Sequence, residues 1–392
     1  MNDQNTKYSL LQNVTNNPSV LNEIFDYTQN KFKVEVAIRH KDSFPLPNED
    51  YVNTWCHYQE MAKKSGLFET LKSCLVQFQF PIKKNISQSY EYRAATLKGK
   101  STDEMITATG LNLNDKDALE LQIYQSVAGK IPVLTVNNDE DFRDIVRALT
   151  HRNEPIPIPK SMGAAMVKGI NNWNRIETLK NKWLARNPLG NWRKEFVENI
   201  LPNKFLYQDR IIILSRKPYS GVPSHYFGNS LEEWTKYSIQ IRLEHECAHF
   251  FTLRHYGHMA NNMHDELVAD YMGISKVLGK FNADWFLKFV GLEDYPKYRS
   301  GARLENYLGN PPVSKEGFNL LKTIVKRAAH NVAEYDEYLG PHQSTTDSTM
   351  RLMGLCSLDL LQISSEQGAE KLVSFYKNNA RILSSNTPSY EE

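Results

Sequence analysis

Leu243-Glu244-His245-Glu246-Cys247-Ala248-His249, followed downstream by Asp265-Glu266-Leu267-Val268-Ala269-Asp270, decides how this chain is read. The first run contains His-Glu-x-x-His. Residues four apart on an α-helix share a face, so His245 and His249 can offer imidazole nitrogens to a single metal ion. Glu246 sits beside them, placed to take a proton from a water that such an ion activates. That arrangement requires a helix, and the flanks supply one. Ser238 to Leu243 and Phe250 to Arg254 contain neither Gly nor Pro, and Gly257 stops the helix just past its last turn. The pattern predicts the helix over about 237–255.

Two imidazoles leave a catalytic zinc one protein ligand short. The second run is the best supplier. Leu267, Ala269, Tyr271, Met272, Ile274 and Val277 predict another, partly buried helix over about 263–278. Glu266 and Asp270 share one face of it. Glu266 would coordinate the metal, and Asp270 would hydrogen-bond a ligand imidazole and fix its tautomer.

His-Glu-x-x-His followed by Glu-x-x-x-Asp on a downstream helix resembles the gluzincin group of zinc metallopeptidases, which includes the thermolysin-like enzymes. The resemblance covers about residues 237–280, with an interval between His249 and Glu266 that is short for that group. It implies a zincin-like catalytic domain, one Zn2+ ion on His245, His249 and Glu266, Glu246 as general base, Asp270 supporting the ligands, and a peptide or protein substrate. It also implies a His or Tyr from a second lobe that stabilises an oxyanion. His255, His258, His264, Tyr271, His330 and His342 all remain open for that part. By the same resemblance Ser215 to Gly228 is a candidate edge strand on which an extended substrate would pair.

Composition narrows the rest. The chain has 392 residues, ordinary apolar content and a net charge of +2, which gives no bulk electrostatic case for nucleic acid or an anionic membrane. No apolar run approaches the roughly 20 residues that cross a bilayer. The start, Met1-Asn2-Asp3-Gln4-Asn5-Thr6, is polar, and Cys56, Cys74, Cys247 and Cys356 are scattered without a C-x-x-C pair. Both features point to a cytoplasmic protein with reduced thiols. Cys247 lies within the motif but off the histidine face, as a small apolar residue.

Helices are expected at Pro18–Asn30, Glu49–Lys64, Asp117–Ala128, Asp139–Leu149, Ala164–Ile170, Ile176–Arg186, Trp192–Ile200, Trp285–Val290, Phe318–Ala329 and Ser348–Leu361. Strands are expected at Phe32–Ile38, Leu75–Phe80, Ile131–Val136 and Phe205–Ser215. Asn153 to Pro159 resembles a polyproline II connector and marks a boundary between residues 1–152, a mixed α/β region, and 153–392, the zincin-like region. The fold class expected is α+β, with a mostly helical C-terminal lobe.

Hydrolysis of a peptide or amide bond is the expected reaction. Two alternatives belong to other classes: a regulatory metalloprotein that binds or cleaves one protein partner, and a non-catalytic domain whose site is structural or empty. A purely structural site has no use for the base at Glu246.

Overall fold

The structure, a computed structural model, describes residues 17–32 and 43–384. Its architecture is α+β, mostly helical with one small mixed sheet. Along the chain the longer helices are α1 (Pro18–Thr28), α2 (Tyr51–Ser65), α3 (Leu67–Cys74), α4 (Tyr90–Lys98), α5 (Asp139–Thr150) and α6 (Trp173–Arg186). They continue with α7 (Leu231–Tyr256), α8 (Met263–Leu278), α9 (Ala283–Val290), α10 (Lys315–Leu339), α11 (Thr345–Ser357) and α12 (Gly368–Ser384). The strands are β1 (Glu120–Ser126), β2 (Gly129–Val136), β3 (Ala164–Asn171) and β4 (Gln208–Ser215). No helix is long and apolar enough to cross a membrane, among the described residues.

The chain divides into two compact units. Among the described residues, the first gathers 17–32, 43–47, 126–128 and 217–384, and the second gathers 48–125 and 129–216. The expected boundary at 152/153 does not separate them. β4, beyond that point, pairs in parallel with β2, with Val133 opposite Ile212, so one sheet spans the connector. Asn153 to Pro159 lies inside the second unit.

In the second unit the sheet order is β1-β2-β4-β3, with β3 antiparallel to β4. Ile211 and Ile213 of β4 join Trp55, Phe78 and Phe142 in the core. Under them lies a closed polar knot: Asp209 accepts from Arg175 at 2.6 Å, from Trp55 Nε1 at 2.8 Å and from Asn172 at 2.7 Å. A buried carboxylate survives only with such partners. Trp173, Trp183 and Trp192 are half-buried, with Trp173 and Trp192 around a satellite cluster of Ile176, Ile200 and Tyr207.

Three expected elements of this unit differ. Asp117–Ala128 and Ala164–Ile170, read as helices, contain β1 and β3. Ala164 and Ala165 favour helix in isolation, but pairing with Leu214 and Ile213 of β4 overrides a weak propensity. Leu75–Phe80, read as a strand, contains a 3-10 turn at Val76–Gln79, which buries Phe78 three residues after the buried Leu75 at its cap. Ile131–Val136 and most of Phe205–Ser215 are strands as expected. The strand expected at Phe32–Ile38 lies, apart from Phe32, outside the described residues.

In the first unit α7 spans 26 residues, including the expected 237–255. Its start is over-determined by a capping box, in which the Ser230 side chain accepts from Glu233 N while Glu233 reaches back to Ser230 N. Its end is Gly257, at φ 72°. α8 has the expected bounds, with Asn262 as its N-cap accepting from Asp265 N at 3.0 Å. α1 is tied to distant parts of the same unit. Tyr27 Oη donates to Tyr307 O at 2.7 Å, and Glu23 accepts from Ser314 N at 2.6 Å.

α7 and α8 touch backbone to side chain where α8 has no side chain. A Cβ placed on Gly273 would lie 2.7 Å from Ile241 O and 2.9 Å from Ile241 Cγ2. Gly273→Ala gains up to about 1 kcal/mol of helix propensity but forces these helices apart, and overpacking of this kind costs about 1–3 kcal/mol. The expected outcome is a net loss of stability in denaturant titration. A variant as stable as the parent would show that the two helices separate at no cost.

Candidate metal centre

α7 presents His245 and His249 on one face, and α8 brings Glu266 to them. All three are buried, and each is no more than 7 % exposed. His245 Nε2 and His249 Nε2 lie 3.1 Å apart, and Glu266 lies 3.6 Å from the first and 3.5 Å from the second. Donors held at about 2.0–2.2 Å by one tetrahedral ion stand about 3.3–3.5 Å apart, so these three spacings suit a single small cation.

The far side of each imidazole decides where its lone pair points. His245 Nδ1 is 2.8 Å from Asp270 Oδ1 and 2.9 Å from Tyr219 Oη. A carboxylate partner assigns the proton to Nδ1 and leaves the Nε2 lone pair facing inward. His249 Nδ1 faces Asp265 Oδ1 at 3.3 Å, a longer ion-pair contact of the same sense. Two lone pairs then meet at 3.1 Å beside Glu266 Oε2, a buried carboxylate oxygen without a hydrogen-bond partner. A metal cation, or a proton shared between the two nitrogens, would relieve the repulsion of such a meeting.

The charge balance agrees. Asp265, Glu266 and Asp270 are buried carboxylates, and the half-buried guanidinium of Arg303 grips Asp270 and faces Glu266. With both imidazoles neutral the cluster carries two excess negative charges, which a divalent ion cancels. Burial alone would lower the His249 imidazole, but Asp265 and Glu266 outweigh it and lift it well above the ordinary histidine value. Burial alone would raise Glu266, but His245, His249 and Arg303 hold it below the usual carboxylate range. The position of Glu266 in the first turn of α8 favours the anion further.

Behind the centre stands a second layer. Tyr219 Oη donates to Asp270 Oδ1 at 2.5 Å and accepts from Arg303 at 2.7 Å, and Arg303 also grips Asp270 Oδ2. Burial would raise the Asp270 carboxyl, but Arg303, His245 and Tyr219 bring it down to about 2. Arg303 Nε is left without a hydrogen bond, 3.9 Å from Glu266 Oε2. Burial and the neighbouring Glu266 push the Tyr307 phenol far up, so it stays protonated.

His245, His249 and Glu266 thus come together, with Asp270 supporting His245 as the spacing predicted. Glu246 is half-buried, one residue along α7 from His245, and no described side chain bonds its carboxylate. Cys247 is buried, as expected.

None of the six groups left open for an oxyanion role contacts the three candidate ligands among the described interactions. His258 and His330 are exposed, and His255 stacks on Phe251 at 5.1 Å. His264 Nε2 bonds Leu355 O at 2.8 Å. Tyr271 donates to Asp336 at 2.5 Å and meets His342 Nε2 at 3.3 Å, within a buried network around Arg351. The expected edge strand at Ser215–Gly228 is also absent. That run holds 3-10 turns at Tyr219–Gly221 and Ser224–Phe227, and β4 before it is flanked on both sides. Its part is to deliver Tyr219, with the chain bent at Ser220 (φ 51°).

Tyr219, Asp265 and Arg303 are the residues that sequence reasoning missed. Asp265 had a signal, since it stands beside Glu266 at the start of α8; Tyr219 and Arg303 come from irregular turns without one.

The class that fold and site define is therefore an α+β protein with a buried two-histidine, one-glutamate group able to hold a metal ion. The chain belongs to the family of unknown function DUF7005, whose match covers residues 9–367. Comparisons with curated proteins and with solved structures found no match.

Proposed function

We propose that the protein is a zinc-dependent metallopeptidase that hydrolyses a peptide or amide bond. The observation that carries this reading is the inward convergence of two imidazole lone pairs and an unpartnered carboxylate oxygen, with Glu246 unpaired beside them. A structural site closes its fourth position with another protein ligand, and no fourth His, Cys, Asp or Glu joins this group among the described residues.

Zinc bound there supplies Lewis-acid polarisation of a carbonyl and acidifies water. His245, His249 and Glu266 would hold it. Asp270 and Asp265 keep the imidazoles oriented, and Tyr219 and Arg303 keep Asp270 in place. Glu246 accepts the proton of the attacking water and returns it to the leaving amine nitrogen. The two excess charges of the cluster favour a divalent ion, and a nitrogen-rich donor pair with one carboxylate suits zinc.

The test is elemental analysis of the purified protein beside His249→Ala and Glu266→Ala. About one equivalent of zinc is expected in the parent, as a single catalytic site requires, and a sharp loss in both variants. Loss with His249→Ala but not with Glu266→Ala would remove Glu266 from the ligand set. Absence of metal after reconstitution would overturn the reading. A protein that holds zinc yet cleaves no peptide would favour the regulatory alternative.

A further inference from the structure

The second unit holds a cavity of about 510 Å³ between α4, the turn after α5 and the outer strand β3. Its size is that of a small-molecule site. Arg93, Arg152 and Lys168 line it, together with Ser87, Thr96 and Thr150, the last two with their hydroxyls donating to Tyr92 O and Val146 O, and no Asp or Glu does among the described residues.

The cationic character of this lining is built in. Glu91 and Glu154, the carboxylates closest in sequence, are committed to backbone amides. Glu154 accepts from Asn85 N at 2.8 Å and Ser87 N at 2.9 Å, and Glu91 accepts from Thr107 N at 2.8 Å and Ile106 N at 3.2 Å. Neither Arg93 nor Arg152 has an ion-pair or hydrogen-bond partner for its side chain among the described residues.

The backbone around two of the cations is also unusual. Arg152 and Asn153 are non-glycine residues at φ 53° and 59°, a conformation that persists only where the surroundings enforce it. Asn153 is fully buried and supplies the enforcement. Its amide donates to Gln77 O at 2.9 Å and Phe80 O at 3.0 Å, and its Oδ1 accepts from Tyr92 Oη at 3.1 Å. The turn that carries Arg152 is therefore rigid. On the opposite wall the pairing of β3 slips between Lys168 and Ile170, around Gly169 at φ 80°. Such a bulge re-aims the side chains next to it.

We infer that this cavity binds a small molecule bearing a phosphate group. Two planar guanidinium forks and an ammonium form a cationic wall that matches a tetrahedral dianion. Leu97, Leu149 and Val167 leave a less polar wall for the remainder of the ligand. The inference is independent of the metal centre, which belongs to the other unit, and stands or falls separately.

The experiment is calorimetric titration of the full-length protein with pyrophosphate, and in parallel with citrate. Saturable binding of pyrophosphate is expected, weakened at least tenfold by Arg93→Gln and by Arg152→Gln, and unchanged by Lys64→Gln on the exposed face of α2. Arg93 is exposed, so Arg93→Gln keeps the test valid if Arg152→Gln does not fold. Binding of citrate in place of pyrophosphate would replace phosphate by carboxylate and overturn the inference. No saturable binding, or equal binding by the variants, would overturn it as well.

Discussion

Glu246→Gln is expected to lower hydrolysis by about 100- to 10,000-fold, the usual contribution of a positioned general base. Zinc content and unfolding midpoint should stay at the parent values. The physical reason lies in the surroundings of Glu246. It is half-buried, and its carboxylate bonds no described side chain, so the isosteric amide leaves no buried partner stranded. On the proposed mechanism the function lost is proton transfer alone. A variant that retains the parental rate would move the base elsewhere. A variant that also loses zinc would show that Glu246 supports the metal and does not serve the chemistry alone.

Arg303→Met should cost about 3–5 kcal/mol of stability near neutral pH, because it strands a carboxylate that is wholly buried. The loss should also have a characteristic pH dependence. With Arg303 present, the Asp270 carboxyl is held at about 2 in the folded state, below the roughly 3.9 of an unfolded chain. A group depressed in this way contributes stability that is complete above about pH 4 and lost as pH falls towards 2. Without Arg303 the burial effect, which raises the carboxyl, loses its main opponent. The deficit of the variant is then largest at neutral pH and shrinks as acid protonates Asp270 in both proteins. Denaturant titrations at several pH values check this. A deficit that is flat from pH 7 to pH 3 would mean that Arg303 acts through packing and not through its charge on Asp270.

The legibility of the site followed from how each residue is delivered. His245, Glu246, His249, Glu266 and Asp270 sit on two long helices, where a fixed angular step turns spacing into facing. Tyr219 and Arg303 enter from 3-10 turns, where no period relates a residue to its neighbours. Their roles arise from contacts 26 to 84 positions apart in sequence. In the second unit the interior strands β2 and β4 carried unbroken apolar runs and were legible. The outer strands β1 and β3 bury one face only in part, and their short mixed patterns suit a helix equally well. The connector at Asn153–Pro159 looked like a boundary because proline marks a break in local structure. The partner of β2 lies beyond it, and local composition holds no record of that pairing.

The attachment of α1 to residues far downstream in the chain has a consequence for biosynthesis. Glu23 waits for Ser314, which is 291 positions further on. At roughly 5–20 residues per second on a ribosome, that wait lasts roughly 15–60 s. The second unit, complete by Arg216, can fold within this interval. The histidines emerge next, followed by Glu266 and then Arg303, so on the proposed function the loading of a metal ion would be a late event in the life of the nascent chain. A message truncated before Arg303 would yield a polypeptide that has all three candidate ligands and lacks the guanidinium that steadies Asp270.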